Sequence, residues 1–141
     1  MSFSSEISFT SESISFELEN EESIVSWISN TIISEGKLLG ELSYIFCSDE
    51  YLYKMNLGYL NHDTYTDIIT FNYCEDNTIS GDVFISIDRV KENANDFNTA
   101  FQNELCRVII HGVLHLIGYN DKTDEQQLEM TAKEDFYLSL L

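Results

Sequence analysis

Val108-Ile109-Ile110-His111-Gly112-Val113-Leu114-His115-Leu116-Ile117-Gly118-Tyr119-Asn120-Asp121 carries two of the chain's three histidines, four residues apart in an otherwise apolar run. On a helix that spacing stacks the two side chains one turn apart, about 5–6 Å between Cβ atoms. Two imidazoles so placed can reach a single cation at roughly 2.0–2.1 Å each. Gly118 lacks a Cβ, can take the left-handed conformation that ends a helix, and lets the chain double back. Asp121 then swings a carboxylate toward the same point. The pattern His-x-x-x-His-x-x-Gly-x-x-Asp reads as a metal site with His111, His115 and Asp121 as ligands. A lone histidine here would be an ordinary core residue, but spacing, glycine and third ligand agree. Leu114, Leu116 and Ile117 are core positions that pack the ligand helix.

Working outward, Thr99 is expected to start this long helix. Beyond Asp121, Thr123-Asp124-Glu125-Gln126 fits a capping box, followed by a C-terminal helix with Met130, Tyr137 and Leu141 on one face. Upstream, the β-branched and aromatic run Asp67 to Tyr73 predicts a central strand buried on both faces. A turn through Glu75, Asp76 and Asn77 leads to a second strand, Asp82 to Ile87, which forms an antiparallel hairpin with the first. Asp88 is the expected cap of a helix that turns Val90, Ala94 and Phe97 inward. Nearer the N-terminus, Ile7 to Phe9 and Ile14 to Phe16 alternate as half-buried strands or a hairpin. Asn20 caps a helix that presents Ile24, Trp27, Ile28 and Ile32 and closes at Gly36. Leu42, Tyr44 and Phe46 alternate as a strand, and Ser48 to Glu50 open a helix presenting Leu52, Met55 and Tyr59. Strands interleaved with helices predict an α+β fold, a mixed sheet packed with about five helices.

The 141 residues, 43% hydrophobic and 23% charged, are those of a globular protein large enough for its own core. No proline-rich, glycine/serine-rich or repeated segment divides them, so residues 1–141 are read as a single domain. No secretory signal or membrane span is expected, and three scattered cysteines suit thiols in a reducing cytoplasm. Seven basic against 25 acidic residues give a net charge of −18. Such a field opposes non-specific binding to nucleic acid, so any RNA contact must be local, metal-assisted or delivered by a partner.

The segment His111-Gly-Val-Leu-His115-Leu-Ile-Gly-Tyr-Asn-Asp121 resembles the YbeY family, whose motif reads His-Gly-x-Leu-His-Leu-x-Gly-Tyr-Asp-His. Met55-Asn56-Leu57-Gly58-Tyr59 through Thr66-Asp67-Ile68-Ile69-Thr70-Phe71 is similar to the family's Leu-Asn…Thr-Asp-Val-Leu-Ser-Phe signature, and Gly81-Asp82-Val83 to the Gly-Asp-Ile after it. The resemblance spans nearly the whole chain. It implies a zincin-like α+β domain and a zinc-dependent, single-strand-specific endoribonuclease acting in 16S rRNA 3′-end maturation and ribosome quality control. Two of the family's zinc histidines carry over to His111 and His115. Asp121 stands where the third is usual. A carboxylate lowers the site's charge by one and makes Mn²⁺ or another hard divalent ion a better competitor for Zn²⁺. Leu60 stands where many members have arginine, a plausible phosphate contact, with Lys54 and Lys122 as the basic side chains available in its place.

His111, His115 and Asp121 would act catalytically through water on the cation's open position. Asp67 and Asp82 are candidates to orient an imidazole through its second nitrogen, although turn or cap duty is the commoner role. His62 and Asp63 either line the cleft or belong to a solvated loop. Cys106 reads as core, with no base nearby in sequence to make it a nucleophile. The ligand spacing is also similar to that of the metzincin peptidases, but these carry glutamate as general base after the first histidine, where this chain has Gly112. A third possibility is a non-catalytic, metal-stabilised adaptor docking on ribosomal proteins or a GTPase.

Overall fold

The computed structural model describes residues 6–59 and 66–141. Its elements follow in the order β1 (Ile7–Glu12), α1 (Glu21–Ser34), β2 (Leu38–Cys47), α2 (Asp49–Tyr59), β3 (Ile68–Asn72), β4 (Thr78–Ser86), α3 (Ile87–Asp96), α4 (Phe101–Ile117) and α5 (Asp124–Leu138). The four strands form one sheet in the order β1-β2-β4-β3. β1 and β4 lie parallel to β2, while β3 runs antiparallel to β4, with Ile69 opposite Phe84. The expected α+β class with a mixed sheet is therefore what the chain adopts, and the β3–β4 hairpin is antiparallel as its short turn requires.

The period of two in β4 sorts its side chains between two layers. Ile79, Val83 and Ile85 turn toward the main core, with Ile24, Ile28 and Ile32 of α1 and Leu105, Ile109, Ile110, Val113 and Leu114 of α4. Phe84 turns the other way, onto a smaller cluster of Cys47, Leu52 and Ile69 beneath α2. Tyr44 is fully buried and donates its hydroxyl to the Ile109 carbonyl at 3.2 Å, tying the sheet to the middle of α4. Gly81 permits the close approach of β3, since a Cβ there would stand 2.5 Å from the Phe71 carbonyl oxygen.

Several sequence expectations need correction. β3 is an edge strand with Ile69 buried and its other residues partly or fully exposed, so it is not a central strand buried on both faces. Its apolar run reflects contact with α4 on one face and α2 on the other. Residues 14–16 form no strand. Ser13 takes a positive φ of 63°, Ser11 Oγ donates to the Phe16 carbonyl at 2.7 Å, and Phe16 packs edge-on against Phe46. The alternation there marks burial without a ladder partner. Asn20 precedes α1 in a left-handed conformation and makes no side-chain cap. β4 starts at Thr78, well before Asp82.

The cap of α3 is Ser86, whose Oγ accepts from Arg89 N at 3.1 Å. Asp88, expected in that role, instead accepts from Asp49 N at 2.9 Å at the start of α2. Phe97 and Leu141, expected inward, are 70% and 53% exposed, because each lies beyond the last turn of its helix. α4 begins at Phe101 with no side-chain cap, so Thr99 does not start it. His62, Asp63 and Leu60 lie outside the described residues.

Candidate metal centre

α4 is apolar on the face toward the sheet and ends at Gly118, whose φ of 127° favours a residue without Cβ. Gly118 N donates to the carbonyls of Leu114 and His115, and Tyr119 N to that of Leu114, which closes the helix end. Five residues after Gly118, the Thr123 hydroxyl accepts from Gln126 N at 3.1 Å while Gln126 Oε1 accepts from the Lys122 and Thr123 amides. Asp121 thus sits between a glycine reversal and a capping box, both readable in sequence, and its side chain is directed back at α4.

The three expected ligands come together. Nε2 of His111 and Nε2 of His115 each lie 3.4 Å from Asp121 Oδ2. One ligand atom from each residue falls within 4.8 Å of the others. The imidazole planes are nearly perpendicular at 83°, with centroids 4.5 Å apart. A separation of 3.4 Å is long for a hydrogen bond. It matches the edge of a tetrahedron whose centre is roughly 2.0–2.1 Å from each corner, which is about 3.3 Å. Two imidazoles and a carboxylate on such a frame suit a divalent cation with one open position.

The two imidazoles differ behind the site. His111 Nδ1 is 2.6 Å from Glu134 Oε2, a buried carboxylate of α5. Glu134 Oε1 accepts from Arg107 Nη1 at 2.8 Å, and Arg107 Nη2 donates to Asp135 Oδ1 at 2.6 Å. Burial alone would lower the His111 pKa, but the Glu134 hydrogen bond and charge, then Asp121 and Asp67, carry it above its ordinary value. His115 moves the other way: burial and the neighbouring His111 lower it, with Asp121 and the Tyr119 backbone only partly opposing.

Glu134 is the site residue that sequence spacing alone misses. A signal was present: Glu134 sits on the same face of α5 as Met130 and Tyr137, all three buried, and an acid on an inward stripe is costly unless paired. Asp67 lines the same cavity of about 290 Å³ as Glu104, Arg107, His111, Asp121 and Glu134. Its Oδ2 accepts from Asn93 Nδ2 at 3.3 Å, and burial raises its pKa, so it neighbours the site without hydrogen-bonding to an imidazole. Asp82 accepts from the Tyr73 hydroxyl at 3.2 Å and belongs to the hairpin. Neither orients a ligand. Cys106 is buried with its thiol pushed up to about 11, which fits core packing. Lys54, on α2, and Lys122, beside Asp121, are both exposed, as is Asp124 in the first turn of α5.

Fold and site define an α+β protein with a two-histidine, one-carboxylate centre at the end of its ligand helix. The chain belongs to the endoribonuclease YbeY family, whose description matches residues 6–141. It is 54% identical over 134 residues to the endoribonuclease YbeY of Flavobacterium psychrophilum, covering 95% of each chain. With that of Flavobacterium johnsoniae it shares 55% identity over 120 residues, 85% of this chain and 86% of the relative. Among solved structures it is similar to a Thermotoga maritima protein determined in solution, with a TM-score of 0.67 and 27% identity. That match covers 94% of this chain and 87% of the other.

Proposed function

We propose that this chain is a metal-dependent, single-strand-specific endoribonuclease acting in 16S rRNA 3′-end maturation and ribosome quality control in the cytoplasm. Membership of a family named for endoribonuclease activity supports the reaction class. The observation that carries the metal dependence is the pair of 3.4 Å separations from Asp121 Oδ2 to the two imidazole Nε2 atoms. Zn²⁺ is the assigned ion, one per chain, with Mn²⁺ a stronger competitor than on an all-histidine site because Asp121 adds a hard anionic oxygen. When bound, such a cation acidifies water and polarises a phosphoryl oxygen.

The chain's own residues prepare that chemistry. His111 and His115 present Nε2 atoms from consecutive turns, and Asp121 closes the third corner. The pocket behind them is strongly acidic, and a net charge of −18 gives no bulk affinity for RNA. The substrate is therefore an unpaired segment of rRNA held in the ribosome or by its assembly factors, brought to the site by protein contacts. No helix among the described residues is long and apolar enough to cross a membrane.

The peptidase alternative lacks its general base, because Gly112 follows His111, and the packing there is close. A Cβ at Gly112 would lie 3.0 Å from both Ile68 Cδ1 and Val83 Cγ1, so the helix packs on the sheet where that glutamate would stand.

The test incubates zinc- or manganese-loaded protein with an RNA containing paired and unpaired segments, and separately with denatured casein. The expected result is cleavage confined to unpaired RNA, with casein intact and at least about a hundredfold loss of rate in His115→Ala. Cleavage of casein would favour the peptidase. Intact RNA from metal-loaded protein, with cellular function retained by a folded His115→Ala variant, would favour the adaptor.

A further inference from the structure

We infer that Glu134 is a positioning residue for the metal centre, fixing the tautomer and ring orientation of His111 so that Nε2 faces the cation. The inference rests on the metal-site reading above and adds a residue from a different helix. A neutral imidazole carries one N–H, and a carboxylate hydrogen-bonded to one ring nitrogen holds the proton there. Glu134 Oε2 lies 2.6 Å from Nδ1, so Nδ1 donates and the Nε2 lone pair is left for the site, where Asp121 Oδ2 stands at 3.4 Å.

Glu134 is itself fixed. Its second oxygen is held by Arg107 at 2.8 Å, and the far edge of that guanidinium by Asp135 at 2.6 Å. With each oxygen committed, the carboxylate cannot rotate away from Nδ1 without breaking an ion pair that is nine-tenths buried on the Glu134 side. Arg107 and His111 lie one helical turn apart on α4, so one face of that helix presents both groups to one side chain of α5. Among the described residues no second carboxylate backs His115 in this way; it meets the Tyr119 backbone. A purely structural salt bridge would need only Arg107. The shorter contact to Nδ1 is what assigns Glu134 to the metal centre.

The experiment measures zinc affinity by competition with a chromophoric chelator for wild type, Glu134→Ala, Glu134→Gln and His115→Ala. Long-range ¹H–¹⁵N spectra of the metal-free wild-type protein, recorded at alkaline pH where the imidazole is neutral, report the His111 tautomer. The expected results are one zinc per wild-type chain, loss of binding in His115→Ala, and about 10–100-fold weaker binding in Glu134→Ala. Glu134→Gln should recover most of that loss, because its amide oxygen still accepts from Nδ1. The wild-type spectrum should show His111 protonated on Nδ1. Unchanged affinity in folded Glu134→Ala, with His115→Ala still abolishing binding, overturns the positioning role and leaves the site standing. Failure of wild type to bind zinc overturns both. The wild-type spectrum decides the matter even where a variant does not fold: protonation on Nε2 contradicts the inference.

Discussion

Glu35 and Glu134 are buried to the same extent, with side chains 10% and 9% exposed, and both tie α5 to the body of the protein. What they hold is different. Glu35, at the end of α1, accepts from the Tyr119 hydroxyl at 2.6 Å, from the Tyr137 hydroxyl, and from Lys133 Nζ at 3.2 Å. These donors are two hydroxyls and an ammonium, none of them on a ligand side chain, and Tyr119 meets His115 through its backbone instead. Glu134 accepts from Arg107 and from His111, and the far nitrogen of His111 points into the ligand cluster. Equal burial thus serves two ends: one carboxylate secures the joint between α1, α5 and the loop after Gly118, the other aims a ligand. The difference lies in the partner, because only an imidazole transmits a hydrogen bond on one side into an orientation on the other.

The sharpest way to break this contrast is Glu35→Ala, which removes the shared acceptor of two hydroxyls and an ammonium. Its expected cost is about 2–4 kcal/mol of folding stability by denaturant titration, with zinc affinity changed by less than about threefold. A fall in zinc affinity matching that of Glu134→Ala would show that the loop anchor also governs the metal, and the contrast would be lost. Next in size, Asp121→His should raise the preference for Zn²⁺ over Mn²⁺ about tenfold in competition experiments, since a hard anionic oxygen is replaced by an imidazole.

The smallest effect comes from acid. Burial would raise the Glu35 pKa, but hydrogen bonds from Tyr119, Tyr137 and Lys133, with the ammonium's charge, bring it below the ordinary value. A carboxyl depressed in the folded state stabilises fully above its unfolded pKa of about 4.3, and the contribution disappears as pH falls through the folded value. Wild type should therefore exceed Glu35→Gln by about 1 kcal/mol at neutral pH. That gap should close on acidification below about pH 4. A gap that widened in acid would reverse the assigned sign.

The sequence was most informative where the determining interactions are local. His111, His115, Gly118 and Asp121 lie within eleven residues, and the Thr123–Gln126 box follows at once. Helical spacing, a positive-φ glycine and a cap are rules of near neighbours, and the structure follows them. Non-local pairings were harder to read. Nothing in the apolar run of β3 says that it lies at the sheet edge, because contact with α2 and α4 produces the same composition as a central position. Asp88 offered the same local signal as Ser86, and only the packing of α2 against α3 decides which one caps α3. Glu134 lies 23 residues from His111, and its reach to Nδ1 depends on how α5 is set against α4. An unpaired acid on an inward helical stripe was the one hint available from sequence.

The central claim is that His111, His115 and Asp121 grip one divalent cation, and X-ray absorption at the zinc edge of stoichiometrically loaded protein tests it most directly. The expected spectrum shows only nitrogen and oxygen neighbours at about 2.0–2.1 Å, including two imidazole scattering patterns, and loses one light neighbour in Asp121→Ala. A sulfur shell near 2.3 Å, or a spectrum with fewer than two imidazoles, would contradict the account.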